Sequence, residues 1–117
     1  MKAEELRIGN LFIEKYTQQL INVEELKKDK IVFSGKFLNE WQAEPIPLTS
    51  EWLLKFGFRQ AGNTTIFKEI GSIEIGKIGK RFYLQIRCEN ITLNIKYVHQ
   101  LQNLYFALTG RQLLTIK

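Results

Sequence analysis

Two consecutive stretches in the second half of the chain alternate strictly between apolar and polar residues. Every second residue is apolar from Phe82 to Cys88, and again from Ile91 to Ile95. Ile73 and Ile75 flank Glu74 in the same way. Because successive side chains of a strand point to opposite faces, this pattern predicts neighbouring strands that share one buried face. With a further strand predicted over 64–70, we expect an antiparallel sheet in this half.

The period then changes from two to that of a helix. Val98, Leu101, Leu104, Tyr105 and Leu108 follow i, i+3, i+4 spacing, and Gly110 comes directly after them. This spacing predicts an amphipathic helix that ends at the glycine. We expect this helix to cover the apolar face of the preceding sheet.

The first half shows several short apolar runs instead of one long pattern. Strands are predicted at Leu11–Glu14, Leu20–Val23, Lys30–Phe33 and Phe37–Ala43, and the charge run from Glu24 to Lys30 is expected to be a solvated turn. Short strands at regular spacing favour an antiparallel β-meander, and an SH3-like partial barrel is one form of it.

Pro45 and Pro47 separate the two halves. Proline fixes extended geometry and removes an amide donor, so residues 44–58 are predicted to hold a hinge and then a short helix with Thr49 as its N-cap. The predicted fold class is α+β. A chain of 117 residues favours a single domain over 1–117, with a meander at 1–43 and a sheet plus helix at 59–117.

The charge is distributed unequally. Residues 55–117 carry 10 basic and 3 acidic side chains, whereas residues 1–54 carry 7 basic and 9 acidic ones. This asymmetry favours an anionic partner for the second half, either nucleic acid or an acidic protein. No apolar run reaches membrane-spanning length, no secretory signal is recognisable, and one cysteine fits a reducing compartment, so we expect a cytoplasmic protein without membrane contact.

The polar side of the predicted sheet is the candidate nucleic-acid surface. Basic groups interleaved with an aromatic ring can hold phosphates and stack on a base. The candidate residues are Lys77, Lys80, Arg81, Tyr83, Arg87 and Lys96. The alternative is an ordinary solvated face. The segment Gly76–Gly79 is similar to a nucleic-acid-binding GXXG loop and Gly71–Lys77 to a phosphate-binding loop, but the alternation around both predicts strands and a hairpin tip.

No catalytic site can be nominated. Cys88 is predicted to point inward with its apolar neighbours, and His99 is the only histidine. A metal site or a Cys–His nucleophile needs more ligands or an exposed thiolate. The expectation is therefore a protein without enzymatic activity, cofactor or metal.

A protein partner is the alternative to nucleic acid. Candidate contact residues are Phe37 and Trp41 in the first half, and His99, Gln100 and Asn103 on the polar, uncharged face of the last helix. The partner is then an acidic protein or a second copy of the chain, and the oligomeric state is left open.

Three segments resemble one family. Glu5–Asn10, Glu44–Phe58 and Ile95–Gly110 are similar to sequences of small uncharacterised proteins from Bacteroides-type gut bacteria, their phages and mobile elements. The resemblance implies a phage or mobile-element setting and brings no activity or catalytic residue with it. The expected function is a small binding module that contacts nucleic acid through its basic half. The alternative is a protein-interaction module: a host-takeover adaptor, a defence inhibitor or a minor structural component.

Overall fold

The computed structural model describes residues 6–26, 31–34, 43–87 and 89–115. Within these residues the chain forms two antiparallel sheets and two helices, which confirms the α+β class. Residues group by proximity into two compact units, one of 1–47 with 97–112 and one of 48–96 with 113–117. The boundary after residue 47 falls in the proline-containing stretch.

The elements follow one another along the chain in this order: β1 (Leu11–Glu14), β2 (Leu20–Leu26), β3 (Ile31–Phe33), β4 (Ala43–Pro45), α1 (Ser50–Lys55), β5 (Arg59–Ala61), β6 (Thr65–Ile70), β7 (Ile73–Ile78), β8 (Arg81–Ile86), β9 (Glu89–Leu93) and α2 (Val98–Thr109).

The sheet of the first unit has the strand order β3-β2-β1-β4 and curls into a half-barrel. The first three strands follow the predicted meander, whereas β4 pairs with β1 and not with β3. Its buried residues include Phe12, Ile21 and Val23. Phe12 lies directly opposite Ile21, so both side chains point to the same face. The rings of Phe12 and Phe33 meet edge to face, with centroids 5.5 Å apart.

Two predictions in this region need correction or fall outside the described residues. The segment 24–26 was expected to be a solvated turn, but β2 continues to Leu26, with Glu25 opposite Val32. The reason is that the ladder is made by main-chain groups, which a charged side chain pointing to solvent does not disturb. Of the predicted strand Phe37–Ala43, only Ala43 belongs to β4, and residues 35–42 lie outside the described part.

Glu14 holds the turn between β1 and β2 together. Its side chain is only 1% exposed. The carboxylate accepts hydrogen bonds from the Thr17 hydroxyl at 2.6 Å, the Thr17 amide at 2.5 Å and the Tyr16 amide at 3.1 Å. The hydrogen bond from the Thr17 side chain is the main cause that lowers the pKa of this carboxyl. Because these donors all come from the turn itself, the buried charge is compensated locally.

Helix α2 packs against the first sheet. Its Gln102 side chain accepts a hydrogen bond from the Leu11 amide at 2.8 Å, and Asn103 accepts one from the Asn10 side chain at 2.8 Å. The imidazole of His99 stacks on Phe12 with centroids 4.9 Å apart. This differs from the expectation that the helix covers the second sheet. The periodicity of apolar residues shows which face of a helix is buried but not which sheet it packs on. Here the hydrogen bonds of Gln102 and Asn103 fix α2 to the first sheet.

The ends of α2 agree with the sequence prediction. The Tyr97 amide donates to the Gln100 side chain at 3.1 Å, which satisfies one free N–H group at the start of the helix. Gly110 ends it with a φ of 72°, and its amide donates to the Phe106 carbonyl at 2.8 Å. Only glycine adopts this left-handed conformation at little cost, which explains why the helix stops there.

The second unit is a five-stranded antiparallel meander with the order β5-β6-β7-β8-β9. Helix α1 begins at the predicted N-cap, where Thr49 accepts a hydrogen bond from the Trp52 amide at 3.4 Å. The buried residues come from α1 and from one face of the sheet, and they include Leu53, Ile75 and Leu84. The prediction of one buried face is therefore confirmed for β6, β7 and β8, whereas Ile91 on the edge strand β9 is 45% exposed. No helix in the described residues is long and apolar enough to cross a membrane.

Candidate nucleic-acid interface

The strand register assigns each side chain of the second sheet to a face. Residues directly opposite each other in antiparallel strands point to the same side. Tyr83 lies opposite both Gly76 and Thr92, and Phe67 lies opposite both Gly76 and Arg59. One line across all five strands is therefore Arg59, Phe67, Gly76, Tyr83 and Thr92, and we call it the aromatic row. It lies on the face away from Ile75 and Leu84, which we call the outward face.

A second line runs beside the aromatic row on the same face. Glu74 lies opposite both Glu69 and Gln85, and Gln85 lies opposite Asn90. We call Glu69, Glu74, Gln85 and Asn90 the polar row. Glu69 and Asn90 are exposed, and Glu74 and Gln85 are half-buried. The outward face thus presents aromatic rings with carboxylate and amide groups next to them.

The ring of Tyr83 lies across Gly76. A Cβ atom added to this glycine would approach the Tyr83 hydroxyl to 2.5 Å and its ring carbons Cζ and Cε1 to 2.6 and 2.7 Å. The space that a side chain would occupy at position 76 is therefore filled by the tyrosine from the next strand. This is the pairing in which an aromatic residue covers a strand glycine.

A hydrogen bond fixes the far end of this ring. The Tyr83 hydroxyl donates to Glu74 Oε2 at 2.6 Å. Partial burial, followed by the bond to Glu74 and the nearby negative charges of Glu74 and Glu69, raises the pKa of the Tyr83 phenol well above its usual range. Tyr83 consequently stays protonated at physiological pH and keeps donating to the carboxylate.

Two of the shallow hollows on the outward face open beside Tyr83 and Glu74. One of about 390 Å³ is lined by Tyr83 together with Glu74, Ile78, Arg81, Phe82, Gln85, Asn90 and Thr92. Another of about 180 Å³ lies beside Glu74 and Gln85 and is also lined by Arg87. Ile78, in the larger hollow, is 54% exposed. Apolar, aromatic and hydrogen-bonding groups thus converge at one exposed place.

Four of the six predicted nucleic-acid residues lie on or at the ends of this face. Arg81 and Tyr83 belong to β8 and point outward. Lys80 is exposed in the turn before this strand, and Arg87 is exposed in the turn after it with a φ of 57°. In the described part of the chain, no hydrogen bond or ion pair engages the side chains of Lys80, Arg81 and Arg87. They are therefore available to an anionic ligand.

Lys77 and Lys96 lie elsewhere. Lys77 is opposite Phe82, which places it on the inner face, where its ammonium group is 3.2 Å from the Ser50 hydroxyl and 5.8 Å from the centre of the Phe82 ring. Lys96 is exposed beyond the end of β9, and its carbonyl accepts from the Leu48 amide at 2.9 Å. The strand register assigns this residue to neither face. The phosphate-loop lookalike spans the turn at 71–72 and β7, which confirms the strand prediction for it. The hairpin tip predicted for the other lookalike is confirmed only at Gly79 and Lys80, because Gly76–Ile78 continue β7.

The sequence reasoning did not identify the other half of this site. Phe67, Gly76 and Glu74 are essential to its geometry but were assigned no role. Their positions follow from the two hairpin turns, because the turn at 79–80 pairs Gly76 with Tyr83 and the turn at 71–72 pairs Gly76 with Phe67. Working out that register would have found the second aromatic residue.

The described ones among the predicted protein-contact residues belong to the first unit. His99 is 9% exposed and stacks between Phe12 and Tyr97, so the exposed helix face expected there is partly buried. Gln100 and Asn103 are half-buried and make the internal hydrogen bonds given above. Phe37 and Trp41 lie outside the described residues, as does Cys88.

The second unit remains basic as a whole, since residues 48–96 carry eight basic and four acidic side chains. No group of three or more His, Cys, Asp or Glu side chains among the described residues is placed to hold a metal ion. Comparison of the chain with protein-family models, with curated proteins and with solved structures gives no match in any of the three.

Proposed function

We propose that this chain is a non-enzymatic binding module that holds single-stranded nucleic acid on the outward face of its second sheet. The observation that carries the proposal is the Tyr83 ring, which lies across Gly76 in an exposed sheet face and has unpaired basic side chains at both ends of its strand. A stacking surface with flanking cations is what single-strand binding requires.

The aromatic part of the site favours a single strand over a duplex. A base can stack on Tyr83 only when its own face is free, which is the case in single strands, loops and ends. Phe67 lies on the same row, two strands away from Tyr83, and is half-buried. The exposed Ile78 adds apolar contact area in the same hollow.

The basic part of the site supplies phosphate contacts along β8. Lys80 and Arg81 lie at one end of this strand and Arg87 at the other, and its six residues span roughly 20 Å. With about three phosphates neutralised, the logarithm of the binding constant should fall with the logarithm of salt concentration with a slope of about −2. Affinity should then drop about 20-fold between about 50 and about 200 mM salt.

The cellular setting is part of the same proposal. The resemblance of Glu44–Phe58 and Ile95–Gly110 to proteins of gut-bacterial phages and mobile elements supports a role during phage or mobile-element activity in the bacterial cytoplasm.

Fluorescence anisotropy with a labelled mixed-sequence single strand tests the proposal. Arg81→Gln should make the slope of log binding constant against log salt concentration less steep by about 0.7. The affinity should then fall only about sevenfold over the same salt range. Arg111→Gln is the matched control, because it removes the same charge from an exposed arginine of the first unit. It should leave the slope unchanged. Tyr83→Ala should weaken binding about 5- to 150-fold at constant salt.

Failure to bind any single strand at about 50 mM salt would refute the proposal. Equal effects of the Arg81 and Arg111 variants would also contradict it, because binding would then follow net charge and not this face. Tighter binding of a duplex than of the matching single strand would exclude the stacking role of Tyr83.

A specific observation also favours protein binding as a second candidate. Tyr16 and Leu20, at the turn end of the β1–β2 hairpin, are 65% and 55% exposed. Partner surfaces expose large apolar side chains that lie close together, and these two side chains belong to one hairpin end. Light scattering after size-exclusion chromatography tests the self-association form: a dimer that becomes monomeric in Tyr16→Ser supports it, and a wild-type monomer excludes it.

A further inference from the structure

We propose that the site reads the base that stacks on Tyr83 and prefers guanine. This inference rests on the proposed function, since it concerns the same outward face. Glu74 and Gln85, the two middle residues of the polar row, are the residues that we expect to recognise the base. They lie beside the Tyr83 ring.

The position of Tyr83 determines where the edge of a stacked base lies. Tyr83 lies opposite Gly76, two residues after Glu74 on β7, and its hydroxyl reaches back to Glu74 Oε2 at 2.6 Å. A base that stacks on the solvent side of this ring therefore has its edge near Glu74 and Gln85. Both residues line the larger hollow together with Tyr83.

Glu74 and Gln85 both have hydrogen-bonding groups that remain available for a base. The bond from Tyr83 uses one acceptor position of the Glu74 carboxylate and holds the group in place, and an ionised carboxylate has about four such positions. In the described part of the chain, the side-chain amide of Gln85 makes no hydrogen bond. The pair Glu74–Gln85 thus offers two acceptor positions followed by an amide donor, on residues that lie directly opposite each other.

Guanine is the base whose edge complements this order. Its adjacent N1–H and N2–H groups can donate two hydrogen bonds to a single carboxylate. Its O6 atom can accept a hydrogen bond from a side-chain amide. Adenine has an acceptor at N1, so no hydrogen bond forms between N1 and the carboxylate. The N3 atom of cytosine is also an acceptor. Thymine has a single ring donor, N3–H, and cannot make two hydrogen bonds to the carboxylate. Leaving a buried polar group unpaired is what makes the wrong base costly.

The test uses short labelled thymidine strands that differ only at one central base, with guanine, adenine, cytosine or thymine there, and a matching RNA series. A bidentate contact predicts that the dG strand binds about tenfold more tightly than the dA strand. Glu74→Gln should bring these affinities to within about twofold, because an amide is not a double acceptor. The measured quantity is the ratio of the dG-strand and dA-strand affinities. Removing a negative charge strengthens the binding of both strands equally, so this general effect cancels in the ratio.

Glu69→Gln is the matched control. It removes the same charge from the same row, one strand further from Tyr83, and should preserve the tenfold ratio. Equal binding of all four strands by the wild type overturns guanine reading but leaves the proposed function standing. Absence of binding to every strand overturns both. A preference that survives Glu74→Gln, with the fold verified by circular dichroism, overturns the role of Glu74.

Discussion

Replacing Gly76 by alanine should force the Tyr83 ring away from its present position. The new methyl group would lie 2.5 Å from the Tyr83 hydroxyl and 2.6 Å from Cζ, closer than any stable contact. The ring belongs to a side chain that can rotate, so the sheet survives and the tyrosine moves. Its hydrogen bond to Glu74 is then lost.

The magnitude follows from two opposing effects. A hydrogen bond to a charged group contributes about 1.5–3 kcal/mol, with the lower end appropriate for this half-exposed site. Alanine is better than glycine within a strand by about 0.5–1 kcal/mol. We therefore expect Gly76→Ala to lower the free energy of unfolding by about 0.5–1 kcal/mol.

A double-mutant cycle isolates the ring as the cause. Urea denaturation followed by circular dichroism should show that Gly76→Ala destabilises the wild type but stabilises the Tyr83→Ala variant by about 0.5–1 kcal/mol. Anisotropy should show weaker oligonucleotide binding by the Gly76→Ala protein, because the stacking surface is displaced.

One outcome contradicts this reasoning directly. If Gly76→Ala costs the same in both backgrounds, the glycine is needed for the backbone and not for the ring. The arrangement of Tyr83 on which the candidate site depends would then be incorrect.

Two further predictions concern the first unit. The lowered pKa of Glu14 means that its stabilising effect is present above its ordinary value of 4.5 and is lost as the pH falls through the lower folded value. The urea midpoint should therefore fall between neutral pH and about pH 3, and it should fall less in Glu14→Gln than in the wild type. The control Glu44→Gln, at an exposed position, should show the same fall as the wild type. Gln102→Ala leaves the Leu11 amide without its acceptor and should cost about 1–3 kcal/mol in urea denaturation. Truncating the exposed Gln60 in the same way should change stability by less than about 0.5 kcal/mol, and equal costs would exclude the proposed role of Gln102.

Most of the elements could be predicted from local sequence because their causes are local. The alternation around Tyr83 predicts β8, the threonine before α1 predicts its start, and Gly110 predicts the end of α2. The extension of β2 to Leu26 and the short strand β5 escaped prediction, because main-chain pairing holds both of these exposed segments and leaves little mark on the side-chain pattern.

The sequence by itself determined the α+β class, the basic second half and the inner and outward sides of β8. Tertiary structure alone decided three other features. It placed α2 on the first sheet through Gln102 and Asn103, put Lys77 on the inner face, and laid the Tyr83 ring across Gly76 with its hydroxyl group on Glu74. The physical reason is that periodicity tells which side of an element is buried, while register and side-chain pairing tell what lies next to it.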